Sequence, residues 1–244
     1  VIKMAQIKVV ILTGSQTRHR YYANFLSEKL DVMGVITEPH LEYFDKQRKT
    51  SDIVKGHFSN MKKYEEQYLG EYGLYPNCRL LQVKANEINN IETIEWVKNL
   101  NPDYILLYGT GILNNIWCDH FNNKIINLHL GLSPIYRGAA TLFWTFYNND
   151  LDNLGTTIHL ASNDVDGGDI LKTVGIDITN GDNYYDITNK LFMKSVKNIP
   201  GILEAYHNLQ TIPLKQNKSD QKYYYTKKDF NEKSLVKVLK KYYA

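Results

Sequence analysis

Asn127 and His129 stand one residue apart at the end of the apolar run Ile125-Ile126. On an extended chain that spacing turns both side chains to the same side. An amide that can donate a hydrogen bond and an imidazole that can take or give a proton then face one small volume. Downstream, the stretch from His159 through Asn163, Asp164 and Asp166 to Gly167-Gly168 adds a second histidine and a carboxylate carried on a turn. An aspartate beside His129 would orient its ring and pair with its charged form. Asn127, His129 and Asp166 together suit transfer of an acyl group to an amine. Asn127 would bond the developing oxyanion, His129 would move the proton, and Asp166 would hold the histidine. No serine or cysteine nucleophile is required if the amine attacks the acyl donor directly.

Two plainer readings compete. A lone histidine in a strand can be a satisfied core residue. His129, His159, Asp164, Asp166 and Asp169 are also all metal-ligand types, but no tight spacing such as H-E-x-x-H supports a centre, and no metal is expected. Against the core reading, both stretches are polar where a buried strand should be apolar.

The elements that must position these residues alternate. Gln6 to Leu12 and Val32 to Ile36 are near-continuous apolar runs, as in strands covered on both faces. Between them a Thr13-Gly14-Ser15-Gln16 turn precedes a helix over 17–29. Such a turn at a helix N-terminus can hold an anion, with Arg18 and Arg20 either gripping a phosphate or lying on an ordinary helix surface. Residues 38–76 form an insertion with a helix over 59–69 and the basic Lys46-Gln47-Arg48-Lys49 segment. Strands are predicted at 80–83, 104–108, 124–128, 155–161 and 170–178, and helices at 91–100, 139–147, 182–206 and 232–242. After 104–108, Gly109-Thr110-Gly111-Ile112-Leu113 either admits a flat ligand close to backbone or makes a tight turn. The pattern predicts an α/β fold with a mainly parallel sheet and helices on both faces, with ligands outside the carboxyl ends of the strands. Residues 1–205 are read as one catalytic domain and 206–244 as a short extension packing on it.

The totals narrow the classes. With 244 residues, 43% hydrophobic and 23% charged, the chain can bury a sizeable core and is not of disordered type. A net charge of +3 does not argue for nucleic acid, and no apolar run reaches the roughly 18 residues of a membrane span. Cys78 and Cys118 suggest neither a metal site nor a disulfide framework, so a reducing, cytoplasmic setting is expected. The absence of G-x-G-x-x-G disfavours a nicotinamide oxidoreductase.

Asn127-x-His129 followed by Leu132-Ser133-Pro134-x-x-Arg137-Gly138, with His159 and Asp166 further on, resembles the folate-dependent formyltransferases. Their pattern is roughly N-x-H-x-S-L-L-P-x-x-x-G, then a glycine-rich D-x-G segment after a strand. Gly131 and Ser133 depart from it, standing where the pattern has serine and its second leucine. The resemblance covers about residues 6–205. It implies a Rossmann-like fold, N10-formyltetrahydrofolate as formyl donor, an amine acceptor, and Asn127, His129 and Asp166 as the catalytic trio. It further implies a folate wall from Tyr108 and Gly109 through Thr110 and Gly111 to Leu113, and a folate loop at Asn163 and Asp164 with His159 in support.

Glycinamide ribonucleotide, methionyl-tRNA and sugar N-formyltransferases all share this core. About 35 residues follow it here, short of the β-barrel domain of the tRNA enzymes. The Gln221 to Phe230 tail and the Tyr136-Arg137-Gly138 sequence look more like the sugar enzymes. That resemblance implies a nucleotide-linked amino dideoxysugar, dTDP-linked in many cases, with Gly14, Arg18, Arg137, Gly138 and the basic residues of 46–49 toward the acceptor. Tyrosines of the tail could stack on the base. A glycinamide ribonucleotide or other small-amine enzyme, a formyltetrahydrofolate hydrolase and a silent binding module remain as alternatives. A homodimer is the family-based expectation.

Overall fold

A computed structural model describes residues 6–39, 51–70 and 72–243. The basic residues at 46–49 lie outside the described residues. Seven strands form the main sheet: β1 (Lys8–Thr13), β2 (Asp31–Thr37), β3 (Arg79–Gln82), β4 (Tyr104–Tyr108), β5 (Ile125–His129), β7 (Gly155–Leu160) and β8 (Ile170–Gly175), in the order β3-β2-β1-β4-β5-β7-β8. The first five are parallel to one another, whereas β7 runs antiparallel to both β5 and β8. The sheet is thus the mostly parallel, Rossmann-like one expected, closed on one side by an antiparallel hairpin.

The continuous apolar runs have a simple cause. Val9 and Ile11 face one core layer, while Val10 and Leu12 face the other, and all four are fully buried. Each such side chain contributes about 1.5–3 kcal/mol of burial. On one face, α3 (Ile91–Leu100) and α4 (Asn115–His120) bring Ile94, Val97, Leu100 and Trp117. On the other lie α1 (Thr17–Ser27), α2 (Asp52–Leu69), α5 (Thr141–Tyr147), α6 (Tyr184–His207) and α7 (Glu232–Tyr242).

The helix expected at 59–69 begins earlier, at Asp52, where Ser51 caps it by accepting from Val54 N. Two three-residue strands, β6 (Tyr136–Gly138) and β9 (Tyr223–Tyr225), pair in parallel as a separate small sheet. Within the tail, Tyr223 and Tyr225 lie on one side of β9 and stack on Tyr136 (4.7 Å) and Trp144 (4.1 Å) respectively, while Tyr224 is exposed. Segment 206–244 is therefore stitched to the segment that follows β5.

Candidate active site

Leu128 and Ile158 face the core layer that holds the five helices, so by strand alternation Asn127, His129 and His159 project from the opposite face. The antiparallel register sets Asn127 across from His159 and His129 across from Thr157. Asn127 Nδ2 lies 3.1 Å from His159 Nε2, and His159 Nδ1 lies 2.8 Å from the carbonyl of its neighbour Leu160. A carbonyl can only accept, so Nδ1 carries the proton and Nε2 accepts from the amide. Burial, then the nearby His129, push His159 down to about 4, which keeps it neutral near pH 7. A neutral His159 fixes which end of the Asn127 amide is the donor.

The same logic assigns His129. Its Nε2 is 3.0 Å from Tyr136 O and 3.4 Å from Thr141 Oγ1, and the carbonyl again requires Nε2 to be the protonated nitrogen. Nδ1 is left as the proton-exchanging atom, and it lies 3.4 Å from Asp166 Oδ1. The carboxylate thus faces the one ring nitrogen that Tyr136 O leaves uncommitted. Asp166 Oδ2 accepts from Gly138 N at 3.2 Å. Asp166 has φ 54°, and the turn folds back over the β5–β7 pair. Gly168 permits this, because a Cβ there would collide with Leu160 O. The structure thus brings Asn127, His129, His159 and Asp166 together on one sheet face.

The remaining sequence-predicted residues sit as follows. Asn163 is exposed; Asp164 pairs with Lys218 (3.1 Å) and Arg137 (3.0 Å), which hold its carboxyl below the usual range. Arg137 is buried, donating from Nε to Val165 O (3.1 Å) and from Nη1 to Gln221 Oε1 (3.1 Å). It is a clamp on the Asp166 turn. Arg18 is likewise engaged, in an ion pair with Glu65 of α2. Gly14 lies against the His19 ring, whose Nδ1 accepts from Gln16 N at 3.0 Å, and its carbonyl receives the Tyr75 hydroxyl. That turn therefore has one of its amides already bonded, and Arg18 and Arg137 are each held by a carboxylate of their own. The Tyr108 ring is buried in the core, leaving Gly109, Thr110 and Gly111 to present backbone beside exposed Ile112 and half-buried Leu113.

Sequence reasoning passed over several residues that shape the site. Buried Glu38 follows β2 and holds the 109–113 turn, accepting from Gly111 N (2.6 Å) and Asn86 N (2.9 Å). Thr141 fills the space beside Gly131 and His129. Gln216 and Gln221 reach in from the tail. A carboxylate closing a strand was a visible signal; single glutamines in a polar tail were not. Among the described residues no cluster of three or more His, Cys, Asp or Glu side chains could hold a metal, and no helix is long and apolar enough to cross a membrane.

Buried neutral histidines make stability pH-dependent. Burial, then Arg18, push His57 of α2 down to about 4, as happens to His159. Each ring binds fewer protons folded than unfolded, where its value is near 6.5. The stability they permit is complete above that value and is lost as pH falls toward 4, by on the order of 3 kcal/mol for each ring. Thermal melts between pH 7 and 4 should show a falling Tm; a flat profile would contradict neutral burial of both rings.

A mostly parallel α/β sheet bearing an amide, two imidazoles and a carboxylate on one face defines the class of fold and site. Residues 6–203 match the formyl transferase family, and the chain belongs to that family. It is 30% identical over 197 residues to the methionyl-tRNA formyltransferase of Caldanaerobacter subterraneus subsp. tengcongensis, covering 80% of this chain and 58% of that protein. The chain spans between 44% and 59% of the length of this and two similar relatives. Among solved structures it is similar to phosphoribosylglycinamide formyltransferase from Anaplasma phagocytophilum (TM-score 0.60, 15% identity, 91% of this chain and 100% of that one). It is also similar to the formyltransferase PseJ from Anoxybacillus kamchatkensis, solved with UDP-4,6-dideoxy-4-formamido-L-AltNAc and tetrahydrofolate (TM-score 0.56, 17% identity, 91% and 87%).

Proposed function

We propose that the chain transfers a formyl group from N10-formyltetrahydrofolate to the amino group of a nucleotide-linked amino sugar. The observation that carries the transfer reading is the His129 ring. Its Nε2 is committed to Tyr136 O, and its Nδ1 lies 3.4 Å from Asp166 Oδ1 beside a donor amide fixed by His159. In this reading Asn127 donates its remaining N–H to the carbonyl oxygen of the group being transferred. His129 moves the amine's proton, and Asp166 keeps Nδ1 aimed. The folate supplies an activated one-carbon unit on nitrogen. The 109–113 turn fits a flat ring: it offers backbone held by Glu38 and the apolar side chain of Ile112, which is 69% exposed.

The sugar-nucleotide part rests on the small sheet and its surroundings. A cavity of about 380 Å³ beside β9 is lined by Trp144, Tyr147, Tyr225, Asp229, Lys233 and Lys237, among others. Aromatic rings and two ammonium groups are what a nucleoside diphosphate needs. Tyr225 pairs with Gly138, whose N–H reaches Asp166, so one strand pair separates the lining of this cavity from the trio. PseJ, whose bound ligand is a UDP-linked formamido sugar, accords with this acceptor class. A second reading, methionyl-tRNA as acceptor, is favoured by the identity of about 30% to enzymes of that name.

One panel separates them. The protein is incubated with formyltetrahydrofolate and, separately, dTDP- and UDP-amino sugars, glycinamide ribonucleotide, methionyl-tRNA or no amine. The expected result is a mass gain of one formyl group on an amino sugar nucleotide. Formylation of methionyl-tRNA or glycinamide ribonucleotide alone would replace the acceptor, and formate release without amine would mark a hydrolase.

A further inference from the structure

Residues from 214 to 225 carry no apolar periodicity, yet they cross the loop that bears Asp166. Leu214 and Ile170 exchange both backbone hydrogen bonds, each 2.8 Å, which anchors the crossing at the start of β8. Two residues further on, Gln216 Nε2 donates to Asp166 O (2.8 Å) and to Gly168 O (2.7 Å). One amide group therefore orients two carbonyls of the turn. From the other side Arg137 takes Val165 O, and Gln221 holds Arg137 in place.

That arrangement bears on Asp166 directly. Its φ of 54° lies in the left-handed region, where a non-glycine residue persists only if its surroundings hold it. The carbonyls of residues 165, 166 and 168 find side-chain donors from β6 and the tail. The His129 Nδ1 to Asp166 Oδ1 separation of 3.4 Å is already long for a charge-assisted bond, so a small drift of the turn would lose it.

The geometry points to Gln216 as the positioning residue for Asp166, and to residues 214–225 as the strap that sets the histidine–aspartate pair. Gln216 acts through the turn and does not contact His129. Its kinetic consequence rests on the formyl-transfer reading; its effect on the free protein does not.

The test is Gln216→Met, which keeps the length and removes both donors, beside Gln216→Glu, which sets a carboxylate against two carbonyls. Turnover per folded molecule should fall roughly ten- to a hundredfold in the Met variant and further in the Glu variant, with KM for the formyl donor nearly unchanged. In the ligand-free protein, the His129 Nδ1 and Hε1 resonances of Gln216→Met should move toward those of Asp166→Asn. If Gln216→Met does not fold, Gln216→Asn, with the donors on a shorter arm, serves in its place. Wild-type resonances with turnover unchanged would overturn the inference, as would an activity loss that only tracks the unfolded fraction. Shifted resonances in a protein that formylates no acceptor would uphold the strap and sink the transfer reading.

Discussion

His129→Ala is expected to lower formyl transfer by about two to four orders of magnitude, the contribution of a positioned acid–base group. Asp166→Asn should come close to it. An asparagine keeps the bond from Gly138 N, but its amide presents a donor or an uncharged acceptor to Nδ1 where a carboxylate now stands. Because Nε2 is tied to Tyr136 O, no other ring nitrogen can take over the proton. The two losses should therefore not multiply in the double variant, since both remove one unit. Single-turnover formyl transfer to whichever acceptor the panel identifies gives the measurement. Near-wild-type rates in both single variants would sink the assignment of proton transfer to this pair.

How far this site was legible depended on whether a residue broke a local pattern. Asn127 and His129 stood out because a fully buried strand had no apolar reason to hold them. The period-2 rule then placed them on one side, as β5 shows. The parallel core was equally legible: strands such as Val9–Leu12 and Tyr104–Tyr108 are covered on both faces and so read as continuous apolar runs. That β7 is antiparallel left no mark, because Gly155–Leu160 is buried throughout whichever way it runs. Three-residue strands such as Tyr136–Gly138 and Tyr223–Tyr225 are too short for any periodicity, and their pairing joins distant parts of the chain. Arg137 was visible as a charge after a proline, but its partners at 164, 165 and 221 exist only once the turn and the tail have folded around it. Side-chain chemistry is written in the sequence; which donors the backbone consumes is decided only when the chain folds.

Gly131 offers the second large effect. It occupies the position where the formyltransferase pattern carries a serine, and the structure gives a reason for glycine. A Cβ built at residue 131 would lie 2.6 Å from His129 Nε2 and 2.6 Å from Thr141 Cβ, with Thr141 Oγ1 nearer still. Thr141 begins α5, and its hydroxyl bonds Leu130 O while lying 3.4 Å from His129 Nε2. Neither the threonine Cβ nor the imidazole is the far end of a flexible chain, so both must shift to admit a side chain. Overpacking of this kind costs about 1–3 kcal/mol of stability, and displacing a catalytic ring by a fraction of an ångström weighs further on the rate. Gly131→Ser should therefore cut turnover by about a hundredfold while the protein remains folded. Thr141→Gly alone removes the hydroxyl's bond to Leu130 O and its 3.4 Å contact with His129 Nε2, and should cost about tenfold or less. Combining Gly131→Ser with Thr141→Gly removes both threonine contacts and leaves only the one with His129 Nε2, so the double variant should recover several-fold over Gly131→Ser. Strictly additive losses would show that the two side chains do not compete for one space, and that glycine at 131 answers to something other than Thr141.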